Sequence, residues 1–166
     1  MVDLMVAYLE MRAVPAGASK PSPLPGFAVE QVRMGRDVYL ALYRCVGEPF
    51  QWDQRLRMEP EALDAHLADP STYIYVLRNS KEVVGLCEFS GVGQDDVELA
   101  NFGLIPGMRG KGLGGFLLDN ALRSCWRPST KRIWLRTDTN DHPNAVAVYG
   151  KAGFKPYLRR VESFPD

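Results

Sequence analysis

The clearest pattern of hydrophobic and polar residues runs from Val97 to Leu122. Its first part, Val97 to Ile105, is mostly apolar with β-branched and aromatic residues, and Pro106 and Gly107 end it. After Gly112, apolar residues recur at the spacing of one helix face: Leu117, Leu118, Ala121, Leu122 and Cys125. This stretch therefore predicts a strand, a glycine-rich loop and an amphipathic helix.

Shorter strands and helices are predicted on both sides of this stretch. Strand patterns lie at Val6 to Met11, Phe27 to Met34, Tyr73 to Arg78, Val83 to Phe89, Arg132 to Thr139 and Phe154 to Phe164. Helices are predicted over Asp37 to Val46, from Glu59 to about Ala68, and from Pro143 to Gly153. The first strand also satisfies the helical period, and we favour the strand. This order predicts an α/β fold in which helices cover a mixed sheet.

Length and composition narrow the class of protein. The 166 residues suit one domain, 1–166, in which residues 1–25 form an N-terminal strand and loop extension. Twenty basic residues balance twenty acidic ones, so we expect neither a nucleic-acid nor a membrane partner. Without an apolar run of roughly 18 residues or a signal-peptide pattern, we expect a cytoplasmic protein. Cys45, Cys87 and Cys125 are odd in number and widely spaced, which favours reduced core thiols and no metal site.

The loop from Arg109 to Gly114 combines three glycines with two cations at the start of the predicted helix. Glycine allows the backbone to approach a ligand closely. The N–H groups in the first turn of a helix have no intrahelical partner, and they attract phosphate. We therefore interpret the loop as a pyrophosphate site, against the alternative that the glycines only form a tight turn.

Two common phosphate motifs do not fit the loop. A P-loop requires Ser or Thr after its lysine, whereas Gly112 follows Lys111. The dinucleotide fingerprint matches Gly110, Gly112 and Gly115, but it lies late in the chain. Too few residues follow it for a doubly wound domain. A third pattern remains, Arg or Gln-x-x-Gly-x-Gly or Ala, and Arg109 begins it.

With this pattern and a second stretch, His142 to Phe154, the chain resembles the GNAT N-acetyltransferase superfamily. GNAT proteins commonly carry Asn-x-x-Ala-x-x-x-Tyr-x-x-x-Gly-Phe at the second stretch. Matching residues in register are Ala145, Tyr149, Gly153 and Phe154, whereas His142 stands where Asn is usual. The resemblance implies a central twisted sheet, mixed and mostly antiparallel, flanked by about four helices.

The resemblance also implies acetyl-CoA as the cofactor and an acyltransferase activity. The expected acceptor is a primary amine of a small molecule or a peptide N-terminus, and homodimerisation is left open. The alternative is a non-catalytic module that binds or senses acyl-CoA. Cofactor-binding residues carried over from the family are Phe102, Gly103, Leu104, Arg109, Gly110, Lys111, Gly112, Leu113, Gly114 and His142.

Acyl transfer to an amine requires a base for the amine proton and an acid for the leaving thiolate. Glu98, on the strand that leads into the loop, is the predicted base; strand alternation would place it on one face with Ala100, Phe102 and Leu104. The alternatives are a solvated Glu98, His142 as base, or water. Tyr149 is the predicted acid, unless it only packs against a neighbouring helix turn.

The acceptor pocket is predicted from the segment Phe50 to Arg55. Trp52 and Arg55 are the predicted substrate-binding residues, with Arg55 suited to a carboxylate and Asp53 to an ammonium. Equally open is a structural interpretation, in which Trp52 belongs to the core and the charges pair with each other. His66 is expected at the surface.

Overall fold

The computed structural model describes residues 1–166 and contains one sheet of seven strands. In chain order the elements are β1 (Val2–Met11), β2 (Phe27–Val32), α1 (Arg36–Gly47), a 3-10 turn (Glu48–Phe50), α2 (Pro60–Ala68), β3 (Tyr73–Asn79), β4 (Glu82–Ser90), β5 (Asp96–Leu104), α3 (Leu113–Cys125), β6 (Arg132–Asp138), α4 (Ala145–Ala152) and β7 (Lys155–Phe164). The strand order is β2-β3-β4-β5-β6-β1-β7, and only the β5–β6 pair is parallel. The predicted fold class is confirmed. No helix has the length and apolar character needed to cross a membrane.

Helices cover both faces of the sheet, as alternate residues of β3 show. Tyr75 and Leu77 belong to the apolar cluster that includes α3 and Tyr149 of α4. Ile74 and Val76 belong to a second cluster, built on α1 and α2. Because neighbouring residues of a strand point to opposite faces, α1 and α2 lie on one face and α3 and α4 on the other.

The element boundaries follow local chemistry and shift by a few residues from those predicted. The first strand is confirmed but begins at Val2, because the apolar positions before Val6 pair with β7. Helix α4 begins only at Ala145, after Pro143, and ends at Gly153 with φ of 118°. That left-handed conformation favours glycine and terminates the helix. The predicted apolar stripe of α3 is confirmed, since all five of its residues are buried.

The N-terminal segment is part of the sheet. Strand β1 lies between β6 and β7 and is antiparallel to both. The loop that follows crosses α3 to reach β2 at the opposite edge. There, the Arg123 guanidinium donates to three loop carbonyls, and Asp119 accepts the backbone N–H of Lys20 at 2.8 Å.

A β-bulge in β5 changes which face of the sheet the residues around Glu98 lie on, compared with the prediction. Leu99 pairs with Phe89 and Asn101 pairs with Glu88, so Ala100 is an extra residue without its own partner on β4. One extra residue reverses the alternation of side chains. The prediction that Glu98 shares a face with Phe102 and Leu104 is therefore wrong. Glu98 lies on the α1/α2 face, together with Asn101.

The cysteines are all free, but only two are core thiols. Cys87 and Cys125 are buried, and burial raises the pKa of both. The prediction was wrong for Cys45, which is exposed on α1. Helix α1 buries only one of its faces, and Cys45 lies on the other.

Candidate functional site

A cleft opens where the two parallel strands diverge. Strands β5 and β6 pair only from Asp96 to Glu98 and from Arg132 to Trp134. The backbone groups of β5 that point toward β6 after Glu98 therefore have no ladder partner. A cavity of about 1170 Å³ occupies this region and extends under the connection between α1 and α2.

The glycine loop lies at the C-terminal end of β5. Gly110 and Gly112 have φ of 76° and 78°, in the left-handed region that favours glycine. The first hydrogen bond of α3 runs from Phe116 N to Gly112 O at 3.4 Å, so the preceding N–H groups at Leu113, Gly114 and Gly115 are free. This arrangement fits a phosphate group.

The two cations of the loop differ in their surroundings. Lys111 is exposed. Arg109 donates to the carbonyl oxygens of Leu104 at 3.1 Å and Val46 at 3.4 Å, and its guanidinium lies 4.6 Å from the centre of the Phe50 ring. Arg109 thus ties the loop to β5 and α1, while Lys111 is free to meet an anion.

Glu98 and Tyr149 line the same cavity. Neither side chain forms a hydrogen bond or an ion pair with the rest of the chain. The Tyr149 ring is buried between Phe102 and Phe154, with ring centres 5.8 Å and 5.9 Å away. Burial, and then the negative charge of Asp141, raise the pKa of Tyr149. The phenol therefore keeps its proton over the physiological range.

Trp52 forms one wall of this cavity. Its indole lies against Gly47, where an added Cβ would come within 2.4 Å of the ring, and against Gly103. The indole N–H points to Asp141 at 3.5 Å. Asp53, which was predicted to suit a substrate ammonium, also lines the cavity, and its carboxylate pairs with Arg57 at 2.5 Å.

Arg55 does not line the cavity, contrary to its predicted role toward a substrate carboxylate. Its guanidinium donates to Glu88 Oε2 at 2.7 Å and to the Tyr39 hydroxyl at 3.3 Å. With this buried partner, Arg55 is not available to a ligand. His66 is not a surface residue either, because its Nε2 lies 2.6 Å from the same carboxylate oxygen.

His142 lies at the approach to α4. Its Nδ1 accepts the backbone N–H of Asn144 at 3.0 Å, and its ring meets Phe50 edge-on at 5.9 Å. His142 does not line the cavity.

Sequence reasoning missed two aspartates at the end of β6. Asp138 lines the cavity, and burial raises its pKa. Asp141 accepts hydrogen bonds from the Thr137 hydroxyl and from Asp138 N, the latter at 3.1 Å. Their position just after a strand parallel to β5 was a usable signal, since ligands bind beyond the carboxyl ends of parallel strands.

Acidic side chains outnumber basic ones around the cavity. Its acidic residues are Glu48, Asp53, Glu98, Asp138, Asp141 and Asp166, and its basic residues are Arg44, Arg57 and Arg136. The lining therefore favours a cationic ligand over an anionic one.

Comparison with known proteins identifies the family. The sequence profile of the acetyltransferase (GNAT) family matches residues 39–154. A Bacillus subtilis protein, provisionally named as an alanine N-acetyltransferase of ribosomal protein bS18, is 28% identical over 100 residues. That match covers 60% of this chain and 65% of the relative, so the chain spans less than two thirds of the relative's length.

Solved structures show the same fold. A GCN5-related N-acetyltransferase from Sphaerobacter thermophilus superposes with a TM-score of 0.69 and 20% identity, over 95% of this chain and 50% of that one. A GNAT family acetyltransferase from Streptococcus pneumoniae superposes with a TM-score of 0.58 and 22% identity, over 78% of this chain and 87% of that one. Together with the profile match over most of its length, this means that the chain belongs to the GNAT acetyltransferase family.

Proposed function

We propose that the protein is an N-acetyltransferase that moves the acetyl group of acetyl-CoA to a primary amine of a small molecule or a peptide N-terminus. One observation carries the proposal: Glu98 and Tyr149, both without a partner in the chain, line one cavity, and Phe50 of the same cavity contacts Arg109 of the glycine loop. A carboxylate and a protonated phenol are the two proton carriers that this reaction needs.

The residues of the loop and of β5 suit the donor. Free N–H groups at Leu113, Gly114 and Gly115, with exposed Lys111, would hold the pyrophosphate. Phe102, Gly103 and Leu104 pair with β4 but have no partner on β6. Their backbone groups that point away from β4 would bind the pantetheine arm between the diverging strands, apart from the Leu104 carbonyl, which accepts from Arg109. The bound donor supplies the activated thioester.

Three proton transfers accompany the acyl transfer. An alkylammonium gives up a proton to Glu98, directly or through a water, and the free amine then attacks the thioester carbonyl carbon. The C–N bond forms, the C–S bond breaks, and Tyr149 donates its proton to the departing sulfur. The acylated nitrogen then loses its second proton, through water, to the Tyr149 oxygen, which leaves a neutral amide and the free thiol of coenzyme A. Asp138 is the competing base, because it lines the same cavity with a raised pKa.

The acceptor is an amine that is cationic in solution. The excess of carboxylates around the cavity attracts such a cation, while Trp52 and Phe50 offer apolar surface to the rest of the molecule. The name of the Bacillus subtilis relative is consistent with a peptide N-terminus as one such acceptor.

Thiol release from acetyl-CoA, measured against a panel of diamines, aminoglycosides and short peptides, tests the proposal. We expect at least one amine to raise release well above hydrolysis, and Tyr149→Phe to abolish most of that gain. Tight acetyl-CoA binding by calorimetry with no amine-dependent release would instead support the non-catalytic module.

A further inference from the structure

A buried carboxylate lies directly behind the cavity, and the proposed chemistry does not use it. Glu88 on β4 is 0% exposed, yet four side chains bond to it. Oε2 is bonded to Arg55 at 2.7 Å and His66 at 2.6 Å, and Oε1 accepts from Tyr39 at 2.5 Å and Asn101 at 3.0 Å. The group joins α1, α2, β4 and β5 at one point.

The Glu88 carboxyl is ionised. Burial alone would raise its pKa, but hydrogen bonding from His66, the charge of Arg55 and the bond from Tyr39 lower it to about 2. An ionised carboxylate only accepts hydrogen bonds. Every neighbour that touches it must therefore present a donor.

This requirement fixes the orientation of Asn101. Its amide must direct Nδ2 at Glu88, and so its Oδ1 points away from Glu88. Asn101 also lines the cavity, and its Oδ1 accepts no hydrogen bond from the rest of the chain. The bulge at Ala100 places Asn101 on the same face of β5 as Glu98.

We propose that Asn101 Oδ1 binds the ammonium group of the acceptor, and that Glu88 is the positioning residue that keeps this oxygen turned to the cavity. The inference rests on the proposed acetyl transfer for its biological meaning. The binding contact itself does not depend on turnover. An amide oxygen beside Glu98 would hold one N–H of the ammonium while Glu98 accepts another.

Tyr39 offers a matched control for Asn101. Both side chains donate one hydrogen bond to Glu88 Oε1, so Tyr39→Phe and Asn101→Ala remove the same kind of bond from the same atom. Only Asn101 also lines the cavity. A purely structural network would respond alike to both changes.

The test is a titration of each variant with alaninamide, followed by NMR in the presence of coenzyme A, with N-acetylalaninamide as the probe that lacks the ammonium. We expect Asn101→Ala to raise the Kd for alaninamide by about tenfold. Tyr39→Phe should leave it within about twofold, and neither change should alter the Kd for acetyl-CoA.

Glu88→Gln tests the positioning role, because a glutamine amide at this site can donate to Asn101 and let its oxygen turn inward. A folded Glu88→Gln variant should lose alaninamide affinity as Asn101→Ala does. Equal effects of Asn101→Ala and Tyr39→Phe, or equal binding of the two probes by the unmodified protein, would overturn the proposal. Since no turnover is measured, an inactive amine panel would contradict only the proposed function.

Discussion

The two faces of the sheet are packed by different kinds of side chains. On the α3/α4 face, 21 buried residues form one apolar cluster that holds the glycine loop and Tyr149. On the α1/α2 face the apolar cluster has 9 buried residues, and the ion pair of Glu88 and Arg55 lies beside it. In the proposed function, the first face would support the donor, and the second would form one wall of the acceptor cavity.

This difference separates stability from specificity. Apolar packing stabilises a helix in place regardless of small changes in side-chain direction. A buried ion pair adds little net stability over apolar packing, but it holds each donor in one direction. The α1/α2 face of the cavity thus has a fixed geometry, and the loss of one contact of the Glu88–Arg55 pair would strongly lower the free energy of unfolding.

The largest expected effect comes from breaking the buried ion pair of Arg55 and Glu88 on the α1/α2 face. Arg55→Leu leaves the buried Glu88 charge without its cation, and we expect a loss of about 3 to 5 kcal/mol in the free energy of unfolding. The control is Arg57→Leu, because Arg57 pairs with Asp53 at the surface, where a pair contributes at most about 1 kcal/mol. Urea denaturation measures both, and similar small losses would show that the Glu88 site tolerates an unpaired charge.

Glu88 also makes the free energy of unfolding depend on pH. The pKa of Glu88 is lowered in the folded chain, so its contribution is present above the value of an unfolded Glu, about 4.3. The contribution is lost as pH falls toward the folded value of about 2. Urea titrations between these limits should show a steeper acid loss in the unmodified protein than in Glu88→Gln. Parallel curves would mean that Glu88 does not titrate in this range.

On the α3/α4 face the largest effect concerns chemistry. Tyr149→Phe keeps the packed ring and removes the acid, so kcat should fall by about 10²-fold, or about 2.7 kcal/mol, with little change in acetyl-CoA affinity. Because burial raises the pKa of Tyr149, activity should not decline through loss of its proton up to about pH 10. An unchanged kcat with a good acceptor would leave Tyr149 a packing role only.

The smallest effect is expected at the loop. Gly112→Val forces a branched side chain into a left-handed backbone conformation and crowds the phosphate site. We expect acetyl-CoA to bind at least about tenfold more weakly, or about 1.4 kcal/mol. Gly150→Ala is the matched control, since an added Cβ there meets nothing within 4 Å. Calorimetry that found wild-type affinity in a folded Gly112→Val protein would contradict the phosphate assignment.

The part of the molecule that we propose binds the donor was predictable because its signals are local. The strand, the loop and the stripe of α3 follow from glycine spacing and helical periodicity within Val97 to Leu122. In the part that we propose binds the acceptor, Trp52 and Asp53 of the predicted segment do line the cavity, but the polar contacts were not predictable, since they join residues far apart in sequence. Glu88 and Arg55 are an example: neither gives any sign in the sequence that they form a buried pair.

The bulge at Ala100 is a second reason why the site could not be fully predicted from the sequence. One extra residue in β5 moves Phe102 and Leu104 to the face opposite Glu98, and a regular alternation cannot anticipate it. The base prediction itself does not depend on that shared face, because Glu98 lines the cavity from the other side of the strand.

The most direct test of the proposed chemistry is kcat/KM against pH, measured with one amine for the unmodified protein, Glu98→Gln and Asp138→Asn. If Glu98 is the base, Glu98→Gln should lose about 10²-fold near neutral pH and recover part of it at high pH, where the free amine is abundant. Asp138→Asn should lose much less. Superimposable profiles of Glu98→Gln and the unmodified protein, or a larger loss in Asp138→Asn, would contradict the assignment of Glu98 as the base.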